Sequence, residues 1–316
     1  MRNAKKTIAK RVAQVLISSL IAVSLIGLIV FATQGRDMPV LQTHGVIADQ
    51  QRDLIIFTFA LGMLVVIPVF VMLFTIAWKY RAGNKKATYE PEMAGNKKLE
   101  ALWWGIPCVI IIILAIITAI STHALDPYKK LESNVEPLKV QVVALEWKWL
   151  FIYPDKGTAT LNYLNIPKDT PIDLTITSDA PMNSFWVPAL AGQVYAMSGM
   201  STQLHMMARD VGSYNGVSAN ISGEGFANMR FKVNSMNAED FSKWMAGATV
   251  SKEQLTSESY AAIAKQSKDD GERTYTLMNK GLYNEIIMKY MPAEQSMGES
   301  QTKNEATTRA MPGMNM

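Results

Sequence analysis

Two stretches without a charged side chain, Leu54–Trp78 and Ala101–Thr122, decide most of what this chain can become. Both reach the roughly 20 consecutive apolar residues that span a bilayer as a helix. A soluble protein would have to wrap each in apolar contacts on every side, and the rest of the sequence is too short to do so. The spacing therefore predicts two transmembrane helices. Pro68 and Pro107 lie inside them, which such helices tolerate when neighbouring groups satisfy the freed carbonyls.

Charge orients the pair. The segment between them carries Lys79, Arg81, Lys85, Lys86, Lys97 and Lys98, whereas the segment before them carries only Arg36 and Arg52. Short cytoplasmic loops collect Lys and Arg, so this loop lies inside and everything after His123 lies outside, in a bacterium the periplasm. Trp78, Tyr80, Trp103 and Trp104 fall at the inner interface as aromatic anchors. A third apolar run, Val12–Gly35, follows a head with Arg2, Lys5, Lys6, Lys10 and Arg11. It is long for a signal h-region and its small-residue site at Ala32-Thr33-Gln34 is poor, so residues 1–36 read either as a retained anchor or as a cleaved signal. The run holds no cysteine for lipid attachment.

Composition narrows the rest. Charged residues make up 18% of the chain, against about 25% in ordinary soluble proteins, and the deficit sits in these runs. The net charge of +4 is concentrated beside them, which reports on membrane topology and not on nucleic-acid binding. One cysteine, Cys108, excludes an internal disulfide, and three scattered histidines give no evident metal cluster.

From Lys139 the pattern changes. KVQVVALEWKWLFIY is Val- and aromatic-rich and reads as one or two strands, and PIDLTITSDA alternates Ile172, Leu174 and Ile176 against Asp173, Thr175 and Thr177. Further strands are expected around Ser184–Val187, Thr202–Met206 and Met229–Val233. Turns are expected at Pro154-Asp155, Pro167–Asp169, Asp210–Gly212 and Asn215-Gly216. Short strands at this spacing predict a β-sandwich over 136–234. After Val233 the period is helical: Asn237 with Asp240 resembles a capping pair, and Phe241/Trp244/Met245, Tyr260/Ile263/Ala264 and Leu282/Ile286/Tyr290 each mark one face. The tail from 293, ending MPGMNM, reads as a flexible polar segment whose thioethers are also soft donors suited to Cu(I).

The order of a helical hairpin at 50–125, a basic inner loop, Trp147-Lys148-Trp149 and an outer sandwich resembles subunit II of the haem–copper respiratory oxidases. The likeness centres on SDAPMNSFWVPAL and GVSANISGEGFANMRFKV. The resemblance implies a membrane-anchored α+β protein: a transmembrane hairpin, a cupredoxin-like domain and, at 235–292, the aromatic-rich helical extension of quinol-oxidase versions.

In the cytochrome c branch of that family, this domain holds a two-copper centre with bridging thiolates and one imidazole per metal. Here the two thiolate positions are Ser218 and Ser222, the late and early histidine positions are Phe226 and Asn183, and the glutamate between the cysteines is Asn220. Only Met229 matches. A hard hydroxyl does not replace a thiolate for soft copper, and phenyl has no donor atom. The resemblance therefore points to the quinol branch, with no cofactor in this chain and with haems and copper in subunit I. It implies as partners subunit I, smaller membrane subunits and the lipid bilayer, with ubiquinol handled by the complex, in a bacterial inner membrane. Glu100 reads from position as a carboxylate at a helix N-terminus; the resemblance implies that it faces a proton-channel entrance in subunit I. Trp147 matches the tryptophan that passes electrons from copper to haem, and without copper it is expected to pack at a subunit interface. A competing reading is a membrane-anchored periplasmic copper-handling protein that uses the Met-bearing tail.

Overall fold

The computed structural model describes residues 38–84, 86–87, 95–268 and 270–291. The N-terminal apolar run and the Met-bearing tail lie outside them. Residues up to Gln42 belong to a unit of their own, in which Leu41 and Gln42 both donate backbone hydrogen bonds to Met38 O at 2.8 Å.

Two helices carry the apolar runs: α1, Val46–Lys79, and α2, Lys97–Ala124. The most apolar stretch of each has no residue buried within the chain. At 1.5 Å per residue they are about 50 and 40 Å long, enough to cross some 30 Å of hydrocarbon. Asn96 caps α2, its side chain accepting from the backbone of Lys98 at 3.0 Å and of Leu99 at 3.3 Å. Glu100 stands in the first turn and is exposed.

Helix α1 begins at Val46, before the apolar run, because its first turns are rooted in the outer domain. His44 N donates to Ala189 O at 2.8 Å, and Arg209 N donates to His44 O at 2.9 Å. Ala48 is buried. Gly45 approaches so closely that a Cβ would stand 2.3 Å from Leu190 O. Asp49 accepts from Thr43 Oγ1 at 2.6 Å and pairs with Arg209.

The outer domain is a sandwich. The strands are β1 Leu138–Leu145, β2 Lys148–Tyr153, β3 Thr158–Leu161, β4 Tyr163–Pro167, β5 Ile172–Ser178, β6 Asn183–Trp186, β7 Gln193–Ala196, β8 Thr202–Met206, β9 Gly212–Ser218, β10 Arg230–Met236, β11 Gln254–Leu255 and β12 Arg273–Leu277. One sheet runs β11-β12-β3-β2-β1-β5-β8 and the other β4-β10-β9-β6-β7. From Val142 onward strand β1 is apolar on both faces because both are covered there. Val140, Val142 and Ala144 enter the core between the sheets, while Val143 and Leu145 enter a second core under the C-terminal segment. In the inter-sheet core, Phe185 and Phe231 stack at 5.0 Å, and Trp149 meets Phe185 edge-on at 5.4 Å. Such ring pairs add about 0.5–1.5 kcal/mol each to area burial.

The extension departs from a purely helical reading. Among the described residues it has three short helices, α3 Ala238–Ala248, α4 Ser257–Ile263 and α5 Leu282–Met288. Between them β12 adds to the sandwich antiparallel to β3, and β11 pairs with β12. Three local expectations are corrected. Asn237 precedes α3 without a side-chain capping bond. Asn215-Gly216 is no turn but lies within β9, where Gly216 is required because a Cβ would meet the Phe231 ring at 2.1 Å. Trp147 is not in a strand: Glu146-Trp147 forms the two-residue link from β1 to β2, with Trp147 in the left-handed region at φ 63°.

Candidate functional site

The positions aligned with copper ligands gather at one end of the sandwich. Pairing of β6 with β9 sets Phe185 opposite Ser218, so Asn183, at the start of β6, comes beside the end of β9. Ser218 Oγ lies 3.0 Å from Asn183 Oδ1 and 3.3 Å from Asn220 O, two acceptors for its hydroxyl proton. Asn183 Nδ2 donates to Pro181 O at 2.7 Å, and Asn220 Nδ2 to Met182 O at 3.5 Å. Ser218 N donates to Met229 O at 3.3 Å, and Met229 is buried. Phe226 opens a single 3₁₀ turn, Phe226–Asn228, on the same loop. Ser222 Oγ is buried without a hydrogen-bond partner.

Two hydroxyls, two amides, a phenyl and one thioether thus stand on the six positions. None ionises near neutral pH, and a hydroxyl already satisfied by an amide is a poor donor for a soft metal. Among the described residues, no three His, Cys, Asp or Glu side chains cluster as a metal site, and Cys108 is exposed on α2. A paired-copper centre does not fit this donor set.

Trp147 closes the loop from one side. Its Nε1–H donates to Ser222 O at 3.0 Å. Its ring lies so near Gly225 that a Cβ there would meet ring atoms at 2.2 Å, and Gly223 takes φ 109° alongside. Lys268 Nζ stands 5.5 Å over the indole and pairs with Glu224 at 2.7 Å; that hydrogen bond holds the exposed Glu224 carboxyl below its ordinary range. The indole is the floor on which residues 222–225 rest. Glu100 is not part of this cluster. It sits at the other end of α2, about 36 Å along the axis from Ala124.

Two buried charge networks beside the loop escaped the sequence reading. Asp179, within SDAPMN, accepts from Tyr260 Oη at 2.6 Å, Tyr290 Oη at 2.6 Å and Lys289 Nζ at 2.7 Å, all from the extension. Burial pushes its carboxyl up, but the hydrogen bonds from Lys289, Tyr260 and Tyr290 outweigh it and leave the group below its ordinary range. Burial and the same bond push the Tyr260 hydroxyl far up. Lys148, only 2% exposed, reaches Asp270 at 2.9 Å, Lys265 O at 2.9 Å and Ser267. Burial raises the Asp270 carboxyl, while the bonds from Ser267 and Lys148 bring it below its ordinary range. The visible signal for Lys148 was its position between two tryptophans in an otherwise apolar run; Asp179 gave none.

Fold and site define a membrane-anchored, cupredoxin-like protein with an outer domain whose ligand positions carry no sulfur pair and no imidazole. Residues 40–119 match the family model for the transmembrane domain of cytochrome c oxidase subunit II, and residues 156–236 the model for its periplasmic domain. The chain is 44% identical to the cytochrome bo(3) ubiquinol oxidase subunit 2 of Pseudomonas putida, over 88% of this chain and 89% of that one. It is 42% identical to the ubiquinol oxidase subunit 2 of Acetobacter aceti, over 89% and 92%. The solved periplasmic domain of subunit II of cytochrome oxidase from Bradyrhizobium japonicum is similar over 38% of this chain and 96% of that one, at 18% identity and a TM-score of 0.35. The chain belongs to the ubiquinol oxidase subunit 2 family, and is anchored in the membrane with its sandwich in the periplasm.

Proposed function

We propose that this chain is subunit 2 of a terminal quinol oxidase that oxidises ubiquinol, reduces dioxygen to water and moves protons, and that it carries no redox centre of its own. The observation that carries the second half is the Ser218–Asn183 hydrogen bond, where the copper-binding relatives need a thiolate and an imidazole. Without a copper pair, electrons enter from quinol at the haem-bearing subunit I, which with smaller membrane subunits forms the complex in the bacterial inner membrane. This chain then acts as scaffold. Trp147, hydrogen-bonded to Ser222 O, supports the loop and hands on no electron.

Purified complex tests the reading. It should oxidise ubiquinol and fail to oxidise reduced cytochrome c. Copper-centre bands in the near infrared, or a two-copper EPR signal from this chain, would refute it. Glu100, exposed in the first turn of α2 beside Lys97 and Lys98, is proposed to draw protons toward subunit I from the cytoplasmic face. Glu100→Gln should slow oxygen turnover with the complex intact; unchanged turnover removes that role. The copper-handling alternative rests on tail methionines outside the described residues, whereas the relatives named above are oxidase subunits.

A further inference from the structure

At their outer ends α1 and α2 leave a groove of about 630 Å³, lined by Leu54 and Thr58 from α1 and by Ile117, Thr118 and Ser121 from α2, with Asp126 at its mouth. The apolar runs begin at Leu54 and end at Thr122, so Thr58 and Thr118 each stand one turn, about 6 Å, inside the outer boundary of the hydrocarbon. A hydroxyl at that depth has no water to bond, and leaving it unbonded in an apolar medium costs free energy. Elsewhere in the spans the need is met locally: Thr75 Oγ1 donates to Val71 O at 2.6 Å, and Thr122 Oγ1 to Thr118 O at 2.8 Å. Among the described residues, the hydroxyls of Thr58, Thr118 and Ser121 make no hydrogen bond. Three free donors thus line one groove, beside apolar Leu54 and Ile117, where the bilayer is the solvent.

Depth and charge select the occupant. The ester carbonyls of a phospholipid sit at the boundary between hydrocarbon and headgroups. They accept hydrogen bonds and donate none, which matches three hydroxyl donors. An acyl chain below them packs on Leu54 and Ile117 by apolar contact. Above them, the lining has one acid, Asp126, and neither lysine nor arginine. Asp126 Oδ1 accepts from Tyr128 N at 2.9 Å, and the carboxylate has no ion pair among the described residues. Asp53, in the adjoining hollow, is by contrast taken by Arg52 at 2.8 Å. An unpaired carboxylate at the headgroup layer attracts an ammonium and repels an anionic head.

We infer that this groove binds one phospholipid with an ammonium headgroup, its ester carbonyls bonded by Thr58, Thr118 and Ser121 and its ammonium by Asp126. The test purifies the full chain from its membrane in mild detergent, together with whatever subunits accompany it. Phosphatidylethanolamine and phosphatidylglycerol are added in equal amounts, and native mass spectrometry reads which lipid the released chain carries. The expected result is one phosphatidylethanolamine per chain, in preference to phosphatidylglycerol. Thr58→Val with Thr118→Val and Ser121→Ala keeps the shape and removes the donors. It should weaken binding at least about tenfold, the scale of losing three hydrogen bonds at the low end of their worth. Asp126→Asn keeps an acceptor for Tyr128 N and should erase the preference between the two lipids. A chain released without lipid, because a helix of another subunit fills the groove, overturns the inference. So do equal occupancy by both lipids in the parent, a quinone carried in place of a phospholipid, and undiminished binding in the triple variant. Should the triple variant fail to accumulate, Asp126→Asn, at an exposed position, decides the matter, because an unchanged lipid preference there overturns the inference.

Discussion

Removing the Asp179 carboxylate should release the C-terminal extension from the sandwich. The side chain is 1% exposed and holds three donors, while Lys289 is 58% exposed. In Asp179→Ala, water therefore satisfies Lys289, and that exposed pair contributes at most about 1 kcal/mol. Tyr260 is different: its hydroxyl is buried and bonds the carboxylate at 2.6 Å. A hydrogen bond to a charged group is worth about 1.5–3 kcal/mol, and orphaning the buried partner adds its desolvation. With a smaller share from the half-exposed Tyr290, the cost comes to about 2–4 kcal/mol. At roughly 2–4 °C per kcal/mol for a domain of this size, Tm falls by about 5–15 °C. Asp179→Asn keeps one neutral acceptor for Tyr260 and should lose about half as much. Thermal unfolding of the full chain in detergent measures Tm, and hydrogen exchange over 257–291 measures local release. If Asp179→Ala stays within about 0.5 kcal/mol of the parent, as an ordinary surface change does, the clamp is not holding the extension.

Three further outcomes follow from neighbouring geometry. Lys148→Met should destabilise by about 3–5 kcal/mol by leaving Asp270 half-buried and unpaired, and adding Asp270→Leu should restore much of the loss, as thermal melts of the single and double variants would read. Gly225→Ala should displace the Trp147 ring, which its Cβ would overlap at 2.2 Å, and shift the indole fluorescence; an unmoved spectrum would contradict the packing. Asp179 and Asp270 both have folded-state pKa values below the unfolded value. Their contribution is full above the unfolded carboxylate range near pH 4 and is lost as pH falls through the folded values. Tm should therefore hold from neutrality to about pH 5 and drop below about pH 4, less steeply in Asp179→Asn.

The parts of this fold that obey simple periods were legible. The two uncharged runs became α1 and α2, and Ile172, Leu174 and Ile176 became the buried face of β5 because alternation survives where one face is wet. Thr202–Met206 became β8. Strands β3, β7 and β9 were not legible, since TATL, QVYA and GSYNGVS are too short or too polar to show a period and are strands only because neighbours pair with them. Gly216 misled because the dipeptide Asn-Gly signals a turn locally, while the ring that demands a glycine there comes from Phe231 on another strand. The ligand positions were readable as residue types. Their joining through Ser218 and Asn183, and the burial of Asp179 and Lys148 against partners more than 80 residues away, required the tertiary structure.

The rooting of α1 in the sandwich has a mechanical consequence. Because Gly45, Ala48 and Asp49 are packed and bonded against Leu190 and Arg209, the periplasmic domain and this helix move as one lever, and tilting either tilts the other. The stretch 125–137, which links α2 to β1, contains no helix or strand. Lengthening it by a few residues should leave the attitude of the domain above the bilayer unchanged, whereas a single bulky side chain at Gly45 would swing the entire headpiece.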